Sequence, residues 1–373
     1  MNDKKEKETF LGLMEIAGIT VNGSNPHDIQ VHDDKFFTRV LNQTALGLGE
    51  SYMDRWWDCN SLDRFIEKIL RADLVTKIKQ DWASAWNILK AKLFNLQDTR
   101  RAFMVGQQHY DIGNDLYEKM LDKQMQYTCG YWKTARTLDE AQESKLAMVC
   151  EKMDLRPGME ILELGCGFGG FARYAAKKYN VRVTGYTVSK GQAEFGKNLC
   201  RGLPVDIRLD DFRKASGLYD RVLSIGMMEH VGYKNYQTYI KLTSQLLKDD
   251  GIAFVQTIGS NTSNRICNPW TSKYIFPNSA LPSIAQLGKA MEGFFVMEDW
   301  HNFGEDYDKT LLAWYRNFKQ AWPELKKKYG ERFFRMWEYY LLSCAGGFRS
   351  RSMQLWQIVM TKPGKTRPDC RNS

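Results

Sequence analysis

Apolar residues recur along the chain with two different periods, and the change of period divides it into two parts. Up to about residue 100 they recur at helical spacing, as in segment 61–72, where Leu62, Phe65 and Ile66 share one face behind the helix-starting Ser61. From Met159 onward, short apolar runs of strand length alternate with helical segments. We therefore predict a small, mainly helical domain over residues 1–100 and an α/β domain over residues 101–373.

Seven apolar runs in the second part have the length and composition of β-strands. Their alternation with helices predicts a parallel sheet covered by helices on both faces. The last two are expected to form an antiparallel hairpin, so the predicted fold is Rossmann-like, with a seven-stranded and mostly parallel sheet. The runs are residues 161–164, 181–187, 205–209, 219–226, 251–258, 294–300 and 353–360.

The first of these strands contains Glu163 and leads into a glycine-rich turn, in the sequence MEILELGCGFGGFARYAAKK. Gly165, Gly167 and Gly169 allow the backbone to adopt positive φ and to approach a ligand closely. The helix that follows presents free N–H groups to an electron-rich ligand. This pattern is typical of dinucleotide-binding folds and of S-adenosylmethionine (SAM) folds alike, and it also occurs as a turn without a ligand.

Polar residues after the neighbouring strands favour SAM over a dinucleotide. A dinucleotide fold, like an ordinary SAM fold, places an acidic residue after its second strand, but here the segment YTVSKGQ offers Thr187, Ser189 and Gln192. After the third strand, Asp211 could hold an adenine amino group and Phe212 could stack on its ring. The late hairpin, in place of a second dinucleotide half, also favours SAM. We therefore predict a class I SAM methyltransferase fold.

The segment GMMEHVG follows the fourth strand, where a reacting group is expected. Glu229 lies at the carboxyl end of that strand, and we interpret it as functional, although an acid there also suits the start of a helix. His230 is interpreted instead as a histidine packed in the core.

Composition narrows the choice of partners. The formal net charge of +9 predicts an anionic partner, either nucleic acid or a membrane. The 13% of aromatic residues suggests a large apolar core, an apolar ligand or a water–lipid boundary. The lysines are dispersed and no nucleic-acid motif occurs, so we favour the membrane. No apolar run approaches the roughly 18 residues of a membrane span, and the N-terminus does not resemble a signal peptide. We expect a cytoplasmic protein that contacts the membrane peripherally. The eight cysteines form no C-x-x-C pair, which argues against a metal site.

Segment 81–94 is the strongest candidate for that membrane contact. Trp82 and Trp86 fall on one helical face, with Lys90 and Lys92 nearby, and such a helix can lie at a lipid interface. The alternative is a helix whose tryptophans pack in the core. We leave both interpretations open.

A series of motifs in a fixed order carries a family resemblance. QYTCGYW, PGMEILELGCGFGG, GYTVSKGQ, IGMMEHVG, KYIFPNSALPS and CAGGFRSRSMQLWQ are similar to segments of the cyclopropane-fatty-acyl-phospholipid synthases. The likeness runs from about Gln108 to Gln357 and reaches into the first domain at LGLGESYMDRWWDC. The resemblance implies transfer of a methyl group from SAM to a cis double bond in an acyl chain of a membrane phospholipid. A cyclopropane ring and S-adenosylhomocysteine are the implied products.

The resemblance also implies a pocket for bicarbonate, which serves this family as the base. The family's pocket residues match Cys129 and Ile258, each through its backbone, and Glu229 and Tyr307, each through its side chain. The family's usual histidine is replaced here by Gln256, in FVQTIGS. Glutamine can hydrogen-bond an anion, but it cannot act as a base. We therefore expect Gln256 to bind and not to relay protons.

The remaining implied contacts are those to SAM. Cys344 matches a cysteine that is sometimes treated as active in the family, but the chemistry needs no thiol nucleophile, so we interpret it as a lining residue. The family's SAM contacts fall on Tyr127, Thr128, Gly165, Cys166, Gly167, Gly169, Thr187, Ser189, Gln192, Asp211 and Phe212.

Two alternatives stay open at this point. One is methylation of the acyl chain without ring closure, and the other is a non-catalytic basic protein that binds nucleic acid or membrane. For the preferred interpretation, we expect residues 1–100 to dock on the anionic inner face of the membrane. The resemblance further implies a homodimer.

Overall fold

The computed structural model of the protein describes residues 3–74, 113–263 and 268–371. Its α-helices are α1 (Asp3–Ile16), α2 (Lys35–Met53), α3 (Leu62–Arg71), α4 (Asn114–Met120), α5 (Leu138–Lys152), α6 (Gly170–Tyr179), α7 (Lys190–Leu199), α8 (Met228–Val231), α9 (Tyr236–Leu246), α10 (Pro269–Tyr274), α11 (Ile284–Met291), α12 (Glu305–Tyr329) and α13 (Glu331–Arg349). Its strands are β1 (Ile29–Val31), β2 (Trp57–Cys59), β3 (Glu160–Leu164), β4 (Arg182–Thr187), β5 (Val205–Leu209), β6 (Tyr219–Ile225), β7 (Leu247–Ser260), β8 (Val296–Asn302) and β9 (Met353–Thr361). A 3-10 helix spans Phe212–Lys214.

These residues form two compact units that are each built from several chain segments. The first unit contains the described residues before 75, together with 268–277 and 311–353. The second unit contains 113–263, 278–310 and 354–371. Each unit combines segments from distant parts of the chain, whereas the prediction placed a single boundary between two continuous domains. Helical periodicity alone does not show which helices share a core. The predicted boundary near residue 100 and the tryptophan-bearing segment 81–94 lie outside the described residues.

The first unit is mainly helical and has an aromatic core. The strands β1 and β2 pair antiparallel, with Ile29 opposite Cys59. The fully buried Trp57 packs its ring 5.2 Å from that of Phe65. The side chains of Leu62, Phe65 and Ile66 are buried, as the helical period of that segment predicts.

The sequence DKFFTRVL at 34–41 predicts a short helix, but helix α2 is longer, because it continues across a kink at Thr44 to Met53. The glycine-rich sequence there gave no helical signal, since glycine is a poor helix former. In the structure, Gly49 lies against the indole of Trp270, and a Cβ at residue 49 would collide with that ring. Packing against α10 therefore outweighs local propensity in this segment.

The second unit is organised around a seven-stranded sheet with the order β5-β4-β3-β6-β7-β9-β8. The strands β3 to β7 pair in parallel, and β8 pairs antiparallel with β9. Two buried apolar clusters pack in this unit, one containing Leu164 and Val255 and the other Ile161 and Phe254. The predicted strands and the mostly parallel sheet are confirmed.

The chain reverses its direction of sheet growth between β3 and β6. It adds β4 and β5 on one side of β3 and then returns to add β6 and β7 on the other. In open α/β sheets, ligands bind at this switch point, beyond the carboxyl ends of the strands. Over residues 3–74, 113–263 and 268–371, no helix is both long enough and apolar enough to cross a bilayer.

Candidate active site

Three segments meet beyond the carboxyl ends of β3 and β6. Gly165 follows β3 with φ of +80°, and a Cβ at this position would lie 2.8 Å from the Met227 sulfur, which follows β6. A Cβ at Gly226 would lie 3.0 Å from the Thr128 methyl carbon. The glycine turn, the segment 226–229 and the segment 127–129 are therefore close neighbours, and together they contain several of the predicted site residues.

The glycine turn has the features of a ligand cradle. Gly167 has φ of +53°, and a Cβ there would meet no atom within 4 Å, so its backbone is open to approach. The Glu163 side chain lies beneath the turn and is 3% exposed. Burial raises the pKa of Glu163 to about 8, while the charge of Lys145 acts in the opposite direction. The Glu163 Oε2 atom has no hydrogen-bond partner among the described residues. An orphaned polar atom beside open backbone fits a polar ligand such as SAM.

Lys145 is a buried cation that sequence reasoning missed. Its Nζ donates to the Gln126 side-chain oxygen and, over 3.0 Å, to the Thr128 hydroxyl. Burial lowers the pKa of Lys145 to about 8, against the opposing charges of Asp122 and Glu163. A buried lysine is tolerated only with such partners. Lys145 therefore fixes the segment that contains Tyr127 and Thr128.

The polar residues after β4 form a closed hydrogen-bonded group. The Thr187 hydroxyl donates to the Gln192 side-chain oxygen over 3.0 Å. The Ser189 hydroxyl caps helix α7 by accepting from the Gln192 backbone N–H over 3.2 Å. All three residues are buried. The structure thus brings this predicted trio together at the end of β4.

Asp211 and Phe212 adjoin one another after β5, but each already has a partner. Both Asp211 carboxylate oxygens accept from Arg213, one from its backbone N–H and one from its guanidinium, each over 2.9 Å. The same guanidinium lies 4.9 Å from the centre of the Phe212 ring. Arg213 was not predicted as a site residue. Any contact of Asp211 or Phe212 with an adenine must therefore accommodate Arg213.

Glu229 is a second buried acid of the site, and it is 7% exposed. It lies in the one-turn helix α8, and its Oε1 accepts from the Ile258 backbone N–H over 2.6 Å. Burial raises the pKa of Glu229 to about 7, despite that hydrogen bond. The Oε2 atom is buried and has no partner among the described residues. The Ile258 N–H thus holds Glu229 directly, and one acceptor atom of the carboxylate remains available.

Gln256 lies two residues before Ile258 on β7 and is 1% exposed. Its side-chain oxygen accepts from the Gln357 amide on β9 over 3.0 Å. Its Nε2 is buried without a partner among the described residues, and so is the Gln357 Oε1. Gln256 is therefore a buried amide whose donor group has no partner among the described residues.

Thr310 holds the Cys129 segment against helix α12. Its hydroxyl accepts from the Gly130 backbone N–H over 3.1 Å and from the Trp132 indole N–H over 2.9 Å. The Cys129 sulfur lies 3.9 Å from the same hydroxyl. Burial raises the pKa of the Cys129 thiol, so this residue stays protonated and is suited to contribute through its backbone. Tyr307 lies one helical turn before Thr310 and is 8% exposed.

Two further candidates have different positions. Cys344 lies in helix α13, which belongs to the first unit, whereas the residues above belong to the second. His230 follows Glu229 in α8, and burial lowers its pKa to about 4, so it is neutral at pH 7. Neutrality agrees with the interpretation of His230 as a packed residue.

The missed residues left weak signals in the sequence. Lys145 occupies an apolar position of helix α5, four residues after the buried Ala141 and four before the buried Val149. Gln357 interrupts the apolar run of β9. A polar residue at a core position requires a partner, and that requirement is the signal that could have identified both.

Comparison with known proteins decides the family. Residues 97–358 match the family model described as mycolic acid cyclopropane synthetase. The chain belongs to this family. It is 51% identical over 350 residues to the cyclopropane-fatty-acyl-phospholipid synthase of Escherichia coli (strain K12), covering 94% of this chain and 92% of that relative. The predicted family and enzyme class, a SAM-dependent methyltransferase, are confirmed.

Two further comparisons show the breadth of the family. The crystal structure of mycolic acid cyclopropane synthase CmaA1 complexed with SAH and CTAB matches with a TM-score of 0.65 and 28% identity. The match covers 70% of this chain and 98% of the CmaA1 chain. The predicted class I SAM methyltransferase fold is confirmed. Sphingolipid C9-methyltransferase A of Emericella nidulans is 35% identical over 271 residues, covering 68% of this chain and 52% of that relative.

Proposed function

We propose that the protein transfers a methyl carbon from SAM to the cis double bond of a phospholipid acyl chain and closes it to a cyclopropane ring. The similarity to the E. coli enzyme supports this substrate, because it extends over 94% of the chain and includes both units. The observation that carries the proposal is the pair of buried, unpartnered atoms of opposite polarity, Glu229 Oε2 and Gln256 Nε2, in the same unit as the glycine turn.

The chemistry requires a base in a dry pocket. Methyl transfer breaks the S–CH₃ bond and forms a C–C bond, which leaves a carbocation on the acyl chain. Loss of a proton from the transferred methyl then supplies the electron pair that closes the ring. Water must be excluded, because it would capture the cation. The burial of Glu229, Gln256 and Cys129 supports a water-poor site.

The residues present fit a bound bicarbonate ion. Glu229 Oε2 is an acceptor for its O–H, and Gln256 Nε2 is a donor for one of its other oxygens. We assign further contacts to the Cys129 backbone and to Tyr307, and assign the Ile258 N–H to holding Glu229 in place. When bound there, bicarbonate would supply the base, while Glu229 would hold its O–H. Gln256 contributes binding and orientation only.

SAM is assigned to the glycine turn and the segments around it. Glu163, Gly165, Cys166, Gly167 and Gly169 form the cradle, and Tyr127 and Thr128 approach from the segment fixed by Lys145. The groups at Thr187 to Gln192 and at Asp211 and Phe212 complete the site on its β4 and β5 side. Cys344 receives no chemical role in this assignment.

Access to the acyl chain requires contact with a membrane. We assign this contact to the first 100 residues, where Trp82 and Trp86 accompany several basic residues. The net charge of +9 supports attraction to an anionic inner leaflet from the cytoplasmic side. A homodimer would double the number of membrane contacts and strengthen binding by avidity.

A second candidate is methylation of the acyl chain without ring closure. This second reaction is supported by the similarity to a sphingolipid C9-methyltransferase over 68% of this chain, because the name of that relative denotes a methyl transfer. The two reactions differ only in which proton the intermediate cation loses. Residues around Glu229 therefore decide between them.

Product analysis tests the proposal. The protein is incubated with SAM and vesicles of phosphatidylglycerol and phosphatidylethanolamine bearing cis-unsaturated chains, and the recovered lipid is analysed by mass spectrometry and proton NMR. We expect a gain of one CH₂ per reacted chain, upfield cyclopropane proton signals and one S-adenosylhomocysteine per ring. A methyl-branched alkene of the same mass would establish the second candidate, and an unchanged lipid would refute both.

A further inference from the structure

Gln357 is buried beside the proposed anion pocket and has no role in the function described so far. It is 0% exposed and lies on β9, the neighbour of β7 in the sheet. Its Nε2 donates to the Gln256 Oε1 over 3.0 Å, although 101 residues separate the two in sequence. We infer that Gln357 is a positioning residue that fixes the orientation of the Gln256 amide, so that its NH₂ group faces the bicarbonate.

The inference follows from the two ends of an amide group. A glutamine side chain has an acceptor oxygen and a donor nitrogen at nearly equivalent positions, and a half-turn about its last bond exchanges them. A donor that binds the oxygen selects one of the two orientations. Because Gln357 donates to Gln256 Oε1, the Gln256 NH₂ points elsewhere, and it is this nitrogen that is buried without a partner among the described residues.

The backbone of Gln256 is fixed independently of its side chain. Its carbonyl oxygen accepts from the Gly226 N–H over 2.9 Å, which ties β7 to the end of β6 just before Glu229. The remaining freedom of Gln256 near the pocket is therefore that of its side chain. The hydrogen bond from Gln357 restricts this freedom.

The choice of orientation matters because of the charge of the ligand. An NH₂ group attracts an anion, whereas a carbonyl oxygen in a buried site repels it. If the Gln256 carbonyl faced the anion, the anion would lose a hydrogen-bond donor at that position. A histidine at position 256 could adapt by changing its tautomer or its charge. Glutamine cannot change its charge or tautomer in this way, so in this chain the orientation of the Gln256 amide depends on Gln357.

The inference rests on the proposed function, and its test uses the bicarbonate dependence of ring formation. The main variant is Gln357→Met, which keeps the length of the side chain and removes the donor. Gln357→Leu is a second variant in case the first does not fold. Each is combined with Gln256→Leu, because removal of both partners leaves no unpaired amide between them. The full-length protein is assayed with saturating SAM while bicarbonate is titrated.

We expect Gln357→Met to raise the KM for bicarbonate by about tenfold, with the kcat at saturating bicarbonate within about threefold of wild type. In the Gln256→Leu background, the same change is expected to alter the KM by less than about twofold, since its target is gone. A matched control is Gln354→Met. Gln354 is a buried glutamine on the same strand whose side chain bonds to Asn261 and Asn302, and we expect the KM of this control for bicarbonate to match wild type.

The possible outcomes distinguish the proposal that bicarbonate is the base from the proposal that Gln357 orients Gln256. If ring formation by the wild type does not depend on bicarbonate, both the proposed base and the role of Gln357 are wrong. If the wild type depends on bicarbonate but Gln357→Met leaves the KM unchanged, only the role of Gln357 is wrong. An equal rise in KM in both backgrounds would also overturn it, since Gln357 would then act by general packing and not through Gln256.

Discussion

The Glu229 carboxylate accepts a hydrogen bond of 2.6 Å from the Ile258 backbone N–H through one oxygen and keeps the other buried and unpartnered among the described residues. This relationship joins the end of β6 to the end of β7. It presents a single acceptor in a fixed place, which suits a ligand that itself carries one O–H. Gln256, two residues before Ile258 on β7, has a buried donor group without a partner among the described residues.

Replacing that acceptor should stop the reaction. In Glu229→Gln the amide oxygen can keep the Ile258 hydrogen bond, but an NH₂ group then replaces the free oxygen, and the pocket has two donors and no acceptor. We expect ring formation to fall by at least about a hundredfold, with the SAM dissociation constant within about threefold of wild type. Activity within a few-fold of wild type would remove Glu229 from the pocket.

The same variant tests the protonation of Glu229. The pKa of Glu229 is raised by burial from 4.5 to about 7 in the folded state, so the folded protein binds this proton more tightly than the unfolded chain. The resulting stabilisation is fully present below pH 4.5 and is lost as the pH rises through 7. The amide introduced by Glu229→Gln does not titrate, so the variant lacks this pH-dependent loss of stability. The thermal midpoint of the variant minus that of wild type should therefore increase between pH 5 and pH 8.

This pH effect has a defined upper limit. A raised pKa of this size corresponds to up to about 3 kcal/mol between the two ends of the range. Differential scanning fluorimetry in matched buffers without bicarbonate measures it. A difference in midpoint that is constant with pH would show that Glu229 has an ordinary pKa in the folded protein.

Substitution of two buried lysines on helix α5 distinguishes an effect on SAM binding from an effect on stability. Lys145 contacts the segment assigned to SAM, whereas Lys152 pairs with Asp299 over 2.8 Å and contacts His301 on β8. We expect Lys145→Met to weaken SAM binding by about tenfold, because the Gln126 oxygen and the Thr128 hydroxyl lose their donor. Lys152→Met should lower the thermal midpoint without changing SAM affinity, because Asp299 loses its short ion pair and keeps only the 3.9 Å contact with Arg371.

Isothermal titration calorimetry with SAM provides the comparison. Equal losses of affinity in the two variants would mean that Lys145 acts only through general stability. Unchanged affinity in Lys145→Met would remove the Tyr127–Thr128 segment from the SAM site.

Membrane docking makes a separate prediction about the tryptophan-bearing segment. We expect binding to vesicles containing phosphatidylglycerol to weaken as salt is raised, since each basic residue near the surface contributes about 1 kcal/mol. The combined change Trp82→Ala and Trp86→Ala should weaken it further, while Lys90→Gln and Lys92→Gln should reduce its dependence on salt. Vesicle co-sedimentation measures each effect. Binding that is independent of both salt and the tryptophans would contradict the assignment.

The strands of the second unit could be predicted because each is a short apolar run between turn residues. Glu229 could be assigned because it directly follows such a run, at an end of the sheet where ligands bind. Helix α2 could not be predicted beyond residue 41, because Gly47 and Gly49 disfavour a helix locally. The contact of Gly49 with Trp270 outweighs that preference, and it joins residues more than two hundred positions apart.

The partners within the site were beyond prediction for the same reason. The Gln256–Gln357 hydrogen bond spans 101 residues, and the Gly130–Thr310 bond spans 180. Sequence patterns report the face on which a residue lies, but they do not report which distant side chain meets it. The family resemblance supplied candidate residues, and the structure adds the hydrogen bonds that hold several of them.

Our proposal for the pocket is that Glu229 and Gln256 hold a bicarbonate ion that serves as the base in SAM-dependent cyclopropane formation. Its most direct test is the rate of ring formation on unsaturated phospholipid vesicles in buffer freed of carbon dioxide, with bicarbonate then added back. We expect a rate near background without bicarbonate and a saturable recovery as bicarbonate is restored, and we expect no recovery in Glu229→Gln. A full wild-type rate without bicarbonate would contradict it.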